Sequence, residues 1–227
     1  MTDAIIVFDI DGTLMDHRAS ADEGLDNFLR LIGAEPTALL HDTWHRAEQE
    51  HFMTWREGKV TFAEQRRRRM ADLLEALVKP VSDTAQLDQL FGAYLVEYKR
   101  AWRAYPDVSS CLEELRKRGF ELAVLSNGDD QQQNLKLERI GVREYFACVL
   151  TADSLGVAKP HREAFDAAVE ALGTAGSELT YVGDDFELDV LAARTAGWRA
   201  FHLDRSGTRC VRGCIRSLNE LPALLCR

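Results

Sequence analysis

The apolar run Ala4-Ile5-Ile6-Val7-Phe8 does not alternate with polar residues, which is how a strand covered on both faces of a parallel sheet reads. Similar short runs recur at 120–125, 146–151, 179–182 and 198–203, each separated by a segment with helical spacing. The helices are expected over 108–118, 131–140, 161–172 and 186–196. Each is followed at once by a glycine, Gly119, Gly141, Gly173 and Gly197, the residue that most readily closes a helix in the left-handed conformation. A βαβ rhythm of this kind predicts an α/β fold with a Rossmann-like parallel sheet as its core.

Residues 15–103 have a different character, with no strand-like run and several helix starts. Ser20 with Glu23, Thr61 with Glu64 and Asp83 with Gln86 have capping-box spacing or something close to it. Leu87, Leu90, Phe91, Tyr94, Leu95 and Tyr98 then recur at three- and four-residue steps and read as the core face of a helix. The expected organisation is an α/β core from 1–14 and 104–227, interrupted by an inserted helical domain over 15–103. The insert carries 13 basic and 15 acidic residues, so −2 of the net charge of −9 lies there and −7 on the α/β part. That balance disfavours nonspecific nucleic-acid binding, and an anionic substrate must be drawn by local positive charge. No run is long enough to span a bilayer, and no basic region followed by an apolar stretch and a cleavage site opens the chain. Five scattered cysteines in 227 residues need no disulfide framework, so a reducing cytoplasmic setting is expected, with Cys210 and Cys214 as incidental thiols.

In open parallel sheets ligands bind beyond the carboxyl ends of the strands. There the sequence places Asp9-Ile10-Asp11-Gly12-Thr13 after the first strand, Ser126-Asn127-Gly128 after the second and Gly183-Asp184-Asp185 after the fourth. Asp189 follows one helical turn further on, and Lys159-Pro160 precedes the helix that leads into the fourth strand. A carboxylate can attack phosphorus and form an aspartyl-phosphate, a role that suits Asp9. Asp11 could give a proton to the leaving oxygen and later take one from water. Crowded carboxylates call for a cation, and a hard, oxygen-seeking ion that binds phosphate is most naturally magnesium, with Asp9 and Asp184 as side-chain ligands. Ser126 and Lys159 would hold the phosphoryl oxygens, oriented with help from Asn127.

This set resembles the four motifs of the haloacid dehalogenase superfamily, in order and over nearly the whole chain. The resemblance implies that the insert is a helical cap and that the backbone carbonyl of Asp11 joins the metal ligands. It implies Asp185 as a further direct or water-mediated ligand with Asp189 in support, two roles that could exchange. Thr13, Asn127 and Gly128 are expected at the substrate.

Each piece alone has a plainer reading. D-x-D-G can open a calcium loop, but that pattern wants glycine and glutamate where this chain has Leu14 and Ser20. Ser126-Asn127-Gly128 alone is a turn, and Lys159 or Asp184 alone a solvated charge. The joint pattern favours function. Arg66 to Arg69, four arginines about 100° apart on a helix, read as a solvated surface, and His17 as a surface histidine. Trp44, His45, Arg46, Trp55 and Arg56 read mainly as packing residues. The expected function is hydrolysis of a small phosphorylated metabolite. The rivals are a phosphotransferase or mutase, a dehalogenase, which would need neither Asp11 nor a metal, and an idle binding protein, which would have lost Asp9, Asp11, Lys159 or Asp184.

Overall fold

A computed structural model describes residues 5–208 and 213–225. Contacts group the chain into two compact units, Met1–His17 with Trp102–Arg227, and Arg18–Ala101.

The first unit is built on six parallel strands, β1 (Ile5–Phe8), β2 (Glu121–Ser126), β3 (Cys148–Thr151), β4 (Leu179–Gly183), β5 (Arg199–Leu203) and β6 (Cys214–Ile215), in the order β3-β2-β1-β4-β5-β6. β1 lies between β2 and β4, and all four of its residues are buried, which is why the run does not alternate. Ile5, Val7, Ala123, Leu125, Leu179 and Tyr181 share one face, packed with Phe165, Ala168 and Trp198. β6, two residues long, carries no sequence pattern from which it could be read.

The α-helices, in chain order, are α1 (His17–Leu31), α2 (Ala38–Arg56), α3 (Phe62–Ala76), α4 (Thr84–Arg100), α5 (Val108–Lys117), α6 (Asp130–Arg139), α7 (Ala152–Leu155), α8 (Arg162–Leu172), α9 (Ala192–Thr195) and α10 (Leu221–Leu224). Gly119, Gly141, Gly173 and Gly197 all adopt positive φ, as a helix-closing glycine should. The helix expected over 186–196 is instead a π-helical turn, Phe186–Leu191, that runs into α9. Cys214 is disulfide-bonded, against its reading as an incidental thiol, whereas Cys111 and Cys148 are free. Cys210 lies outside the described residues.

The second unit holds most of α1 and all of α2 to α4. Thr61 and Asp83 cap α3 and α4 through their side chains, as their spacing predicts. Ser20 does not cap: it lies inside α1, and its hydroxyl donates to the Ala101 carbonyl at 3.0 Å. Leu87, Phe91, Tyr94 and Tyr98 are buried, while Leu90 and Leu95 are half-buried at the margin of the stripe. Trp44 is fully buried against Phe91 and Tyr94. The arginine run is not uniformly solvated. Arg69 is buried, lies over the Trp44 ring and pairs with Glu48 at 2.7 Å, because its position on α3 faces the helix packing. No helix among the described residues is long and apolar enough to cross a membrane.

Candidate active site

The loop after β1 folds back on itself: Gly12 N–H donates to the Met15 carbonyl at 2.9 Å and Met15 N–H to the Ile10 carbonyl at 2.8 Å. Gly12 has φ +85°, and a β-carbon there would stand 2.2 Å from Asp184 Oδ2. Only glycine lets this loop approach the end of β4 so closely. The Thr13 hydroxyl, fully buried, points at Asp184 Oδ1 from 3.5 Å. Chain and sheet thus bring Asp9, Asp11, Thr13 and Asp184 together as their order in the sequence implies.

The two aspartates of the first loop have separate buried ammonium partners. Lys159, 3% exposed, donates to Asp9 Oδ1 at 2.8 Å, Asp189 Oδ1 at 2.7 Å and the Tyr181 hydroxyl at 2.6 Å. Three N–H groups meet three acceptors, and Tyr181 passes its own proton to the Leu125 carbonyl at 2.7 Å. Burial would lower the Lys159 proton affinity, but Asp189, Asp9 and Tyr181 together hold it well above the usual lysine value. To grip a phosphoryl oxygen, as its sequence position implies, Lys159 has to exchange one of these bonds.

Lys136 is the second ammonium, and neither it nor Gln133 stood out in the sequence. Also 3% exposed, Lys136 donates to both oxygens of Asp11, at 2.7 and 2.6 Å. Gln133 Nε2 reaches Ser126 Oγ at 2.7 Å, the Asn127 carbonyl at 3.0 Å and Asp11 Oδ2 at 3.4 Å. The signal was present: Gln133, Lys136 and Leu137 stand at helical core spacing on α6, where two polar residues on a buried face need a reason. Tyr181, a hydroxyl inside a fully buried strand, gave a similar hint. His17 is no plain surface residue either, since its Nδ1 lies 3.7 Å from Asp11 Oδ1. Burial raises the proton affinity of Asp11, but the charges of Lys136 and His17 and the hydrogen bonds from Lys136 and Gln133 outweigh it and leave the carboxyl below its ordinary value.

Asn127 clasps the Lys159 backbone from both sides, accepting from its N–H at 2.8 Å and donating to its carbonyl at 2.9 Å. Its amide is therefore committed to fixing the lysine loop. Gly128 accepts from the Asp153 N–H through its carbonyl, at 3.2 Å.

Asp9, Asp184 and Asp189 each offer an oxygen within 4.8 Å of the others. Burial, opposed by Lys159 and reinforced by Asp189 and Asp11, pushes Asp9 up to about 7. Asp184 is raised well above the ordinary value by burial and by the charges of Asp9, Asp189 and Asp185. Because its side chain keeps solvent exposure, the crowd of like charges is the firmer cause. An all-oxygen donor set under that repulsion fits a hard divalent ion. Asp185, expected among the ligands, is not in the cluster: its Oδ1 accepts from the Glu187 and Leu188 N–H groups, each at 2.9 Å, and caps the π-helical turn. Asp189 has both oxygens engaged, one on Lys159 and one on the Asp185 N–H at 3.2 Å. A β-carbon at Gly183 would meet that second oxygen at 2.2 Å.

The glyceraldehyde 3-phosphate phosphatase of Methanopyrus kandleri is 31% identical over 195 residues, covering 85% of this chain and 80% of its own. The phosphoserine phosphatase of Thermus thermophilus is 37% identical over 131 residues, 58% of this chain and 52% of its own, so that match spans about half of the relative's length. The magnesium-bound HAD-hydrolase YfnB from Bacillus subtilis superposes with a TM-score of 0.85 at 21% identity, over 99% of both chains, a likeness of fold. Residues 4–197 match the haloacid dehalogenase-like hydrolases. With the loop aspartates, the lysine and the β4 carboxylates assembled at one end of the sheet, the chain belongs to the haloacid dehalogenase-like hydrolase family.

Proposed function

We propose that this chain is a magnesium-dependent phosphatase acting on small phosphomonoesters through an aspartyl-phosphate. The observation that carries the reading is the pair Asp9 and Asp11, two residues apart, each held by its own buried ammonium beside Asp184. Asp9 attacks phosphorus as a carboxylate, its oxygen forming the new P–O bond while the ester P–O bond breaks, and Asp11 protonates the departing alkoxide. Water then attacks the phosphoryl group, Asp11 takes its proton, and phosphate leaves as Asp9 is regenerated. The ionised state of Asp11 beside Lys136 matches the second task. For the first it must gain a proton, and the approach of an anionic phosphoryl group raises the proton affinity of every carboxylate around it.

Magnesium, held by Asp9, Asp184 and the Asp11 carbonyl, would neutralise the carboxylates and the charge on the phosphoryl oxygens. Ser126 and Lys159 bind and orient those oxygens. The helical unit, read as a cap, supplies substrate choice. Retention of Asp11 favours phosphate over carbon–halogen chemistry, since a halide leaves without a proton.

The test is phosphate release from p-nitrophenyl phosphate and a panel of metabolite phosphates, with and without magnesium, alongside Asp9→Asn. Turnover that depends on both the metal and Asp9 supports the proposal. Activity that survives Asp9→Asn or chelation overturns it.

A further inference from the structure

The helical unit carries a second cluster of metal-competent side chains that the proposed phosphatase chemistry leaves unused. His41 and His45, one turn apart on α2, have rings stacked at 6.3 Å, and both turn toward Asp22 on α1. His41 Nδ1 lies 3.0 Å from Asp22 Oδ1, and His45 Nε2 contacts the same oxygen at short hydrogen-bond range. The other oxygen of Asp22 is occupied by Arg18 Nε at 3.3 Å. One donor atom from each of the three residues falls within 4.8 Å of the others.

The outward nitrogens make the arrangement more than a chance cluster. His41 Nε2 lies 2.7 Å from Asp26 Oδ1, and His45 Nδ1 lies 4.0 Å from Glu48 Oε2, a carboxylate held in turn by Arg69. A neutral imidazole has one N–H and one lone pair. A neutral His41, with a carboxylate oxygen at each nitrogen, therefore sets one lone pair against another, and either a second ring proton or a metal ion between ring and carboxylate removes the clash. A single divalent ion among Asp22 Oδ1, His41 Nδ1 and His45 Nε2 relieves this for His41, leaving its outward N–H to Asp26, while His45 Nδ1 faces Glu48 from beyond hydrogen-bond reach. Metal-bound histidines show that same carboxylate–imidazole–metal chain.

We propose that Asp22, His41 and His45 form a zinc-class binding site in the helical unit, with Asp26 orienting the His41 imidazole. Two imidazoles and one carboxylate suit a borderline transition ion, whereas the oxygen-only cluster of Asp9, Asp184 and Asp189 suits a hard one, so donor softness separates the two sites. The His41 side chain is 22% exposed, which leaves a path for the ion and room for water as a fourth ligand. A bound ion would clasp α1 to α2.

The test titrates the full chain with cobalt in excess magnesium, following the visible d–d absorption, and then displaces cobalt with zinc. One cobalt per chain with intense tetrahedral-type bands, displaced by zinc and indifferent to magnesium, is expected. His41→Gln and His45→Gln should each weaken binding at least about 100-fold, and Asp26→Asn, which removes an orienting carboxylate and no ligand, about 10- to 100-fold with the bands retained. Circular dichroism checks each fold, and if a histidine variant fails to fold, the wild-type spectrum and Asp26→Asn decide. A wild-type chain without d–d bands, or bands unchanged in the histidine variants, overturns the proposal: the first leaves a cluster held by protons, the second an ion bound elsewhere.

Discussion

Replacing Lys136 by methionine keeps an unbranched side chain, one atom shorter, and removes the positive charge beside Asp11. The ammonium lies 2.7 and 2.6 Å from the two Asp11 oxygens, and the lysine side chain is 4% exposed against 30% for the aspartate. At the effective dielectric of a protein, a pair of unit charges this close attracts by about 6 kcal/mol before solvent at the part-exposed aspartate screens it. Without it, burial acts on Asp11 with less opposition, so its proton affinity rises, and the carboxyl loses the two-point contact that fixes its plane. The loss of orientation should dominate for substrates whose leaving oxygen needs a proton. A positioned acid contributes about 100-fold or more, so kcat/KM for an alkyl phosphate should fall about 100-fold. For p-nitrophenyl phosphate, whose phenolate leaves unaided, the fall should stay below about 10-fold, as kcat/KM reports only the steps up to release of the alcohol. The alkaline limb of the alkyl-phosphate profile should move to higher pH, because a rise in Asp11 proton affinity keeps the acid form present further up the scale. Equal losses on both substrates, or no loss on the alkyl ester, would refute a link between Lys136 and proton transfer.

Gly12→Ala would drive a β-carbon into the Asp184 carboxylate, and isothermal titration should show magnesium affinity down at least about tenfold in a chain that still folds. Tyr181→Phe removes the acceptor of one Lys159 N–H and the donor to the Leu125 carbonyl; urea unfolding should read a loss of about 1–3 kcal/mol. Asp107 is raised by burial, but Arg205, Ser217 and the Leu218 N–H hold it below the ordinary value. Its contribution to stability is therefore full above the unfolded aspartate value of about 3.9 and is lost as pH falls through the folded one. Melting temperature followed from pH 6 downward should drop more steeply in the wild type than in Asp107→Asn, and Asp107→Ala should cost about 3 kcal/mol at neutral pH.

The sheet core was legible because its pattern is redundant: buried runs, helical spacing and helix-closing glycines each point the same way. Asp9, Asp11 and Asp184 were legible because the ends of parallel strands are where ligands bind, and chain order alone brings those ends together. Lys136 and Gln133 were not, since their meaning depends on which face α6 presents to Asp11, and neither the length of that helix nor its closing glycine fixes that face. For Asp185 the resemblance implied a metal role, direct or through water, and the turn that follows takes one of its oxygens as a cap. His45 was read as packing and His41 was not singled out, and tertiary placement of α1 against α2 gave the two histidines Asp22 and Asp26 as carboxylate neighbours.

The central position of β1 has a consequence for synthesis. Ile5 pairs with Glu121 on one side and with Leu179 on the other, so the strand leading to Asp9 emerges from a ribosome long before either neighbour. At about 5–20 residues per second, the 174 residues from the one after Ile5 up to Leu179 take roughly 9–35 s to appear. Until β2 is made four uniformly apolar residues have no strand to pair with, and one side of β1 stays open until β4 follows, while helices α1 to α4 can form through contacts near in sequence. The part of the chain that carries the proposed nucleophile is thus made before both its sheet neighbours and enclosed only after them, and a nascent chain stalled before Leu179 would present the open side of β1 as its point of capture by chaperones.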